Sequence, residues 1–260
     1  RDQPRSRGLG DVYKRQGYTG DKSAADFKAM EVYLKRVWFS NGIHHHYGCE
    51  KFVPGFTPEF FKQALLSVDA ATLPLAEGQT VEQLYEEVAP VIFDPKVMPK
   101  RVNQAAGEDL VLTSACNYYD GVTQQEAEAF YSAMKDPKDE TPVSYGLNSR
   151  LVKENGKIQE KVWKVGGLYG AAIGKIVYWL KKAEGVAENP EQKAVIAKLV
   201  EFYETGDLKT FDDYAILWVK DLDSRIDFVN GFTESYGDPL GMKASWESLA
   251  NFKDLDCLLY

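Results

Sequence analysis

Three adjacent histidines, His44, His45 and His46, are the whole histidine complement of this 260-residue chain. Neutral imidazole is the commonest metal ligand among side chains. Three consecutive side chains cannot face one point on a regular helix or strand. Asn41 and Gly42, just before them, favour an irregular backbone on which they could. A metal site would then draw a further ligand from Cys49 or Glu50. The alternative is a polar, partly exposed segment with one imidazole packed inward. The zinc-helix spacing H-E-x-x-H is absent, as is the G-x-S-x-G of a serine nucleophile. Gly166, Gly167 and Gly170 match no phosphate-loop or dinucleotide fingerprint and read as close helix packing. A different chemistry is offered by Asp227. On a strand predicted over 226–232, Asp227 and Val229 share one face and Phe228 takes the other. An acid beside an apolar residue at a strand end can hold an ammonium group next to a side-chain pocket; it can also be a solvated edge charge.

The elements that must position these groups are mostly helical. Phe27, Met30, Leu34, Val37 and Trp38 recur at helical spacing over 23–40, where Ser23 and Asp26 resemble a capping box. Thr57 followed by Pro58 opens a helix to about Val68. Thr80 with Gln83 caps another, stopped or punctuated by Pro90 and Pro95. Thr123 with Glu126 caps a third near 124–135, and Asn189 with Pro190 starts one running to about Thr205. Residues 168–183 form a further helix with small residues on one side. Strands are fewer: a β-prone run at Leu110, Val111 and Leu112, a hairpin over 145–165 around Asn155 and Gly156, and the segment 226–232. The mixture predicts an α+β fold, a small sheet or barrel wrapped by helices.

Composition narrows the classes. With 44% hydrophobic and 13% aromatic residues the chain can build a sizeable core, as one large domain or two small ones. A net charge of −8 leaves no basic footprint for nucleic acid. Three widely spaced cysteines, Cys49, Cys116 and Cys257, argue against a disulfide framework and a cysteine zinc site. No apolar run approaches the ~20 residues of a membrane span. Residues 1–16 are basic, aperiodic and read like translated adapter DNA, as does the close at 256–260. Both are expected to be non-native tails on an internal fragment, and without them the chain is more acidic still.

The run Gly231-Phe232-Thr233-Glu234-Ser235-Tyr236-Gly237-Asp238-Pro239-Leu240-Gly241 resembles the G-F-x-E-S-Y-x-D-P-x-G stretch of the dipeptidyl peptidase III family. Upstream, Phe39-Ser40-Asn41-Gly42 with Lys51-Phe52-Val53-Pro54 is similar to the family's Y-S-N and K-F-V-P segments. Asn148-Ser149-Arg150-Leu151-Val152-Lys153-Glu154 is similar to its N-T-R-L-F-K-E. The wording around the histidine triplet most resembles Bacteroidetes members. The resemblance implies a zinc metallopeptidase that releases N-terminal dipeptides from oligopeptides and works in the cytoplasm. A lower domain with a β-barrel and helices faces an upper domain carrying zinc on an H-E-x-x-G-H helix. Residues 17–255 then correspond to part of the lower, substrate-binding domain. The upper zinc domain of the same protein is missing, and no zinc ligand or catalytic residue is expected in this chain.

By the same resemblance Asp227 matches the acid that pairs with the substrate's α-ammonium, and Trp218, nine residues earlier, matches a family tryptophan at that offset. The best-known members have glutamate and, two residues on, tyrosine where this chain has Asp227 and Val229. Asn41 is a further candidate in the cleft. Glu234, Tyr236 and Asp238 are expected to make structural hydrogen bonds. Two rival readings remain open on the sequence: a stand-alone peptide-binding or scaffold protein without catalysis, and a small metal-binding protein built on the histidine triplet.

Overall fold

A computed structural model describes residues 17–141 and 143–254. The expectations for the tails at 1–16 and 256–260 lie outside the described residues. The chain divides into two compact units. The first ends at Glu108 and also takes in Thr113–Ala115; the second comprises Asp109–Leu112 and the chain from Cys116 onward.

The first unit is helical. Helix α1 spans Ala25–Ser40, α2 Pro58–Leu66 and α3 Val81–Phe93. Phe27, Phe56, Phe61, Leu65, Leu84 and Ile92 meet in its core. Thr57 Oγ1 accepts the Phe60 N–H at 3.2 Å, with Pro58 occupying the first turn, where its missing N–H costs nothing. Thr80 and Gln83 exchange both bonds of a capping box. The box expected at Ser23 does not form. Ser23 instead turns back onto Asp21, and the α1 N-cap is Ala24, which has no side-chain acceptor. Nor does Pro90 stop α3, which runs one turn further to Phe93. Val88 and Ile92, one turn apart on one face, are both buried, and that packing holds the last turn despite the lost hydrogen bond.

The second unit carries the sheets. A parallel pair, β1 (Tyr119–Asp120) and β2 (Ser149–Glu154), extends antiparallel to β3 (Lys157–Val162). Asn155 and Gly156 both take positive φ, 51° and 77°, as a tight two-residue hairpin turn requires. Helix α4 (Gln124–Ser132) starts at the Thr123–Glu126 capping box. Helices α5 (Gly170–Glu184), α6 (Pro190–Thr205) and α7 (Leu208–Lys220) follow in succession, and β4 (Ile226–Glu234) pairs antiparallel with β5 (Ser245–Phe252). The core gathers Tyr131, Leu151, Trp163, Leu199, Phe202 and Phe232. The fold is thus α+β with open sheets of three and two strands, and no closed barrel forms among the described residues. Leu110, Val111 and Leu112 make a turn rather than a strand. Asp109 Oδ1 accepts the N–H groups of Val111 and Leu112, and this local side-chain bonding displaces the ladder their propensity favours. No helix among the described residues is long and apolar enough to cross a membrane.

Candidate functional site

Strand β4 and helix α7 together place Asp227. Asp207 caps α7 by accepting the N–H groups of Lys209 and Thr210. The helix buries Phe211 and Tyr214 and brings Trp218, half-buried against the core, to its last turn. Gly231 allows this approach. A Cβ there would lie 2.7 Å from the Phe211 ring, closer than any side chain tolerates. The sequence reading assigned no helix to 208–220, although Asp207 and the spacing of Phe211, Tyr214 and Trp218 are readable helix signals.

The Trp218 indole Nε1–H donates to Asp227 Oδ1 at 2.9 Å, and the Phe228 backbone N–H donates to the same oxygen at 2.8 Å. Oδ1 is therefore occupied twice. Oδ2 accepts no hydrogen bond from the described residues, and Asp227 forms no ion pair among them. The residue is exposed. Val229, half-buried, follows on the same face of β4, paired with Leu249 of β5. The group that results is an acid with one fixed and one open oxygen, an indole edge and a short apolar neighbour. Such a group can accept a cation through the open oxygen without losing the bonds that orient it.

Other acids of the matched motif sit differently. Asp238 is buried. Its Oδ2 accepts from the Tyr119 hydroxyl and the N–H groups of Met242 and Lys243, each at 2.8 Å, and its Oδ1 accepts from Leu240 N. Lys243, fully buried, donates to the Tyr131 hydroxyl at 2.5 Å and to the carbonyl and hydroxyl of Ser149, each at 3.1 Å. Both hydroxyls donate on to Glu160 Oε1. The lysine's charge is thus relayed to a carboxylate through two hydroxyls. Burial still pushes its ammonium down to about 8, with Glu160 and Asp238 opposing the shift. Glu234 sits against the Glu247 carboxyl, which this contact pushes above the usual range. Tyr236 is exposed and makes no side-chain hydrogen bond among the described residues, unlike the structural role expected of it. Sequence reasoning missed Lys243 altogether, because nothing local distinguishes it from a surface lysine.

In the first unit, Asn41 caps α1 in the left-handed conformation at φ 52°, with its N–H on the Trp38 carbonyl. It is exposed. The histidines that follow it take different hydrogen-bond partners. His44 is buried with Nε2 2.8 Å from the Met98 carbonyl, whereas His45 Nδ1 accepts the N–H groups of Tyr47 and Gly48. His46 lies 3.3 Å from Ser40 Oγ, and its ring stacks on that of His45 at 4.9 Å. Among the described residues no three His, Cys, Asp or Glu side chains are grouped to hold a metal ion. Of the triplet, His44 is packed inward and His46 is exposed.

Residues 113–257 match the model of Peptidase family M49, more than half of the chain. The chain belongs to peptidase family M49. It is 23% identical to dipeptidyl peptidase 3 of Nematostella vectensis over 255 residues, covering 87% of this chain and 34% of that protein. It is likewise 23% identical to dipeptidyl peptidase 3 of Homo sapiens, covering 85% of this chain and 33% of that protein. The solved structure of dipeptidyl peptidase III from Caldithrix abyssi is similar at 17% identity with a TM-score of 0.44, covering 98% of this chain and 40% of that one. This M49 chain thus spans about a third of the length of the curated relatives it matches. Tyr119, Lys243 and Asp238 lie within the matched segment, as do Trp218 and Asp227.

Proposed function

We propose that residues 17–255 are part of the substrate-binding lower domain of a zinc-dependent exopeptidase that releases dipeptides from the N-termini of oligopeptides, in the cytoplasm. The observation that carries this reading is the Asp227 carboxylate, with Oδ1 held by Trp218 and Phe228 and Oδ2 open among the described residues. Oδ2 receives the substrate's α-ammonium, and Val229 borders the side chain of an adjacent substrate residue. Anchoring the terminal ammonium fixes the register of the peptide, so the scissile bond is counted from that end. Asp is short enough to bond the N–H of its own successor, Phe228, which leaves the carboxylate at the strand rather than reaching out from it. Asn41 is assigned to the same substrate-binding role with support from the family resemblance alone. The zinc of the family polarises the scissile carbonyl when bound. Its ligands belong to the parent's upper domain. The 260 residues contain no H-E-x-x-H spacing, and the three histidine rings do not converge.

The test is a two-by-two comparison in the full-length enzyme, parent and Asp227→Asn against free and N-acetylated peptide. A partly shielded charge-assisted contact contributes about 1.5–3 kcal/mol. The substitution should therefore lower kcat/KM roughly ten- to a hundredfold on the free peptide. Acetylated peptide should be a poor substrate of the parent and lose little more. Equal losses on both peptides would make the carboxylate structural and end the assignment. The chain alone should release no dipeptide from an arginyl-arginyl reporter with or without added zinc. Zinc-dependent release by the purified chain would overturn the division of labour between the domains.

A further inference from the structure

The first residues of β4 are gripped from outside the sheet. Glu188, in the turn before α6, accepts the Ile226 N–H on Oε1 at 2.7 Å and the Arg225 N–H on Oε2 at 2.9 Å. Gln192, on the first turn of α6 and buried, donates Nε2 to the Ile226 carbonyl at 2.9 Å. The two residues also brace each other. Gln192 Nε2 donates to Glu188 Oε1 at 3.4 Å, and the Glu188 backbone N–H donates to Gln192 Oε1 at 2.8 Å. A carboxylate and an amide here supply to Ile226 the acceptor and the donor that a neighbouring strand would supply. On the opposite edge the Arg225 carbonyl accepts from Lys253 N at 2.8 Å. Both edges of the backbone are thus fixed over Arg225 and Ile226, the two residues before Asp227. The bonds to Glu188 hold its carboxyl below the usual carboxylate range, as expected for a group that accepts two backbone N–H donors.

We propose that Glu188, braced by Gln192, is a positioning residue for peptide binding, and that its grip on Arg225 and Ile226 keeps Asp227 Oδ2 open and aimed at the substrate ammonium. This rests on the reading of Asp227 given above. Asp227 Oδ1 takes its two hydrogen bonds from two different elements, one from α7 and one from the β4 backbone. If the start of β4 slackens, the Phe228 N–H and the Trp218 indole no longer converge on one oxygen. The carboxylate then rotates, and the open oxygen is lost as a fixed acceptor. Glu188 touches neither substrate nor Asp227; it acts through the strand.

The indole N–H of Trp218 reports this directly, because it is bonded to the oxygen in question. The experiment is a ¹H–¹⁵N titration of the intact chain with tetra-alanine, free or N-acetylated at its amino end, following the Trp218 indole resonance assigned with Trp218→Phe. The chain should bind the free peptide and not the acetylated one. Glu188→Gln, which keeps one acceptor oxygen, and Glu188→Ala, which keeps none, should weaken binding of the free peptide by about threefold and tenfold respectively. Neither should change the response to acetylated peptide, and neither should weaken binding further when combined with Asp227→Asn. If Asp227→Asn abolishes the preference for the free amine while both Glu188 variants bind like the parent chain, the positioning role is wrong and the Asp227 assignment stands. If the parent chain itself does not distinguish the two peptides, the assignment of Asp227 fails and the inference goes with it. Should Glu188→Ala not fold, Glu188→Gln decides, since it keeps the shape and one of the two bonds. A loss of the same size on both peptides would also overturn the proposal, leaving Glu188 a merely structural group.

Discussion

Asp227 and Asp238 are two carboxylates on one stretch of chain, one near the start of β4 and the other just beyond its end, and they are built in opposite ways. Asp238 is buried and uses both oxygens: three donors converge on Oδ2 and one on Oδ1. Asp227 is exposed and, among the described residues, uses one oxygen. A carboxylate with both oxygens engaged is a fastener, here tying the turn after β4 to Tyr119 in the three-stranded sheet. A carboxylate held by half its acceptors is oriented yet still able to bind. The G-F-x-E-S-Y-x-D-P-x-G wording contains the fastener, while the acid offered to substrate lies outside this longest recognisable string.

The sharpest way to break this contrast is to make the same chemical change at both acids. An amide can accept on one side only. At Asp238, asparagine must turn its NH₂ toward groups that are themselves donors, inside a packed core next to a buried ammonium. Asp238→Asn should therefore destabilise the second unit by about 3 kcal/mol or more, read as a lowered midpoint in urea. A midpoint within error of the parent's would mean that Asp238 is no fastener and that the comparison is misdrawn.

Lys243 supplies the next test, because its proton is sensitive to the same network. Its folded value is about 8, against an ordinary 10.5. Between these the unfolded chain carries a proton that the folded chain has shed, so this group's contribution to stability rises with pH across that window. Burial also raises the Cys116 thiol and the phenols of Tyr119 and Tyr131, with those of Tyr33, Tyr118, Tyr203 and Tyr214. The folded chain keeps these protons where the unfolded chain begins to lose them, which opposes the Lys243 rise as the thiol and phenol range is entered. Comparison with Lys243→Met isolates the lysine's share: from pH 8 to pH 10 the parent should gain stability relative to the variant by on the order of 2 kcal/mol. A stability difference between the two that stays flat over that range would refute the buried, depressed ammonium.

How much of this was legible beforehand follows from where the information sits. Caps are local, and Thr57, Thr80, Thr123 and Asn189 each start a helix as read from two or three residues. The Asn155–Gly156 turn is local too. Ser23 failed because Asp21, outside the capping pattern, competed for it. The run at 110–112 failed because Asp109 rewrote its backbone bonding. Strand β5 was not foreseen: along its length it is almost wholly exposed, so the alternation that marks a half-buried strand is absent. Asp227 was singled out by its acid type and strand position and Trp218 by a family resemblance, but that one donates to the other is a tertiary fact. Glu188 and Lys243 carry no local signal, since each gains its meaning from strands far along the chain.

The smallest expected effect is the most informative about Asp227. Asparagine there can keep its Oδ1 on the Trp218 indole and the Phe228 N–H, with the amide nitrogen facing water in place of the open Oδ2. No donor is stranded and no buried charge is left unpaired. Asp227→Asn should therefore change folding stability by no more than about 0.5 kcal/mol, as for a surface substitution clear of the core. The Trp218 indole resonance should stay near its parent position in the absence of peptide. The measurement is a urea midpoint beside that of Asp238→Asn, under one buffer and on the same chain. A loss at Asp227 comparable to that at Asp238 would mean the open oxygen has a partner essential to the fold. The two acids would then be fasteners alike, and the ammonium would have to be held elsewhere.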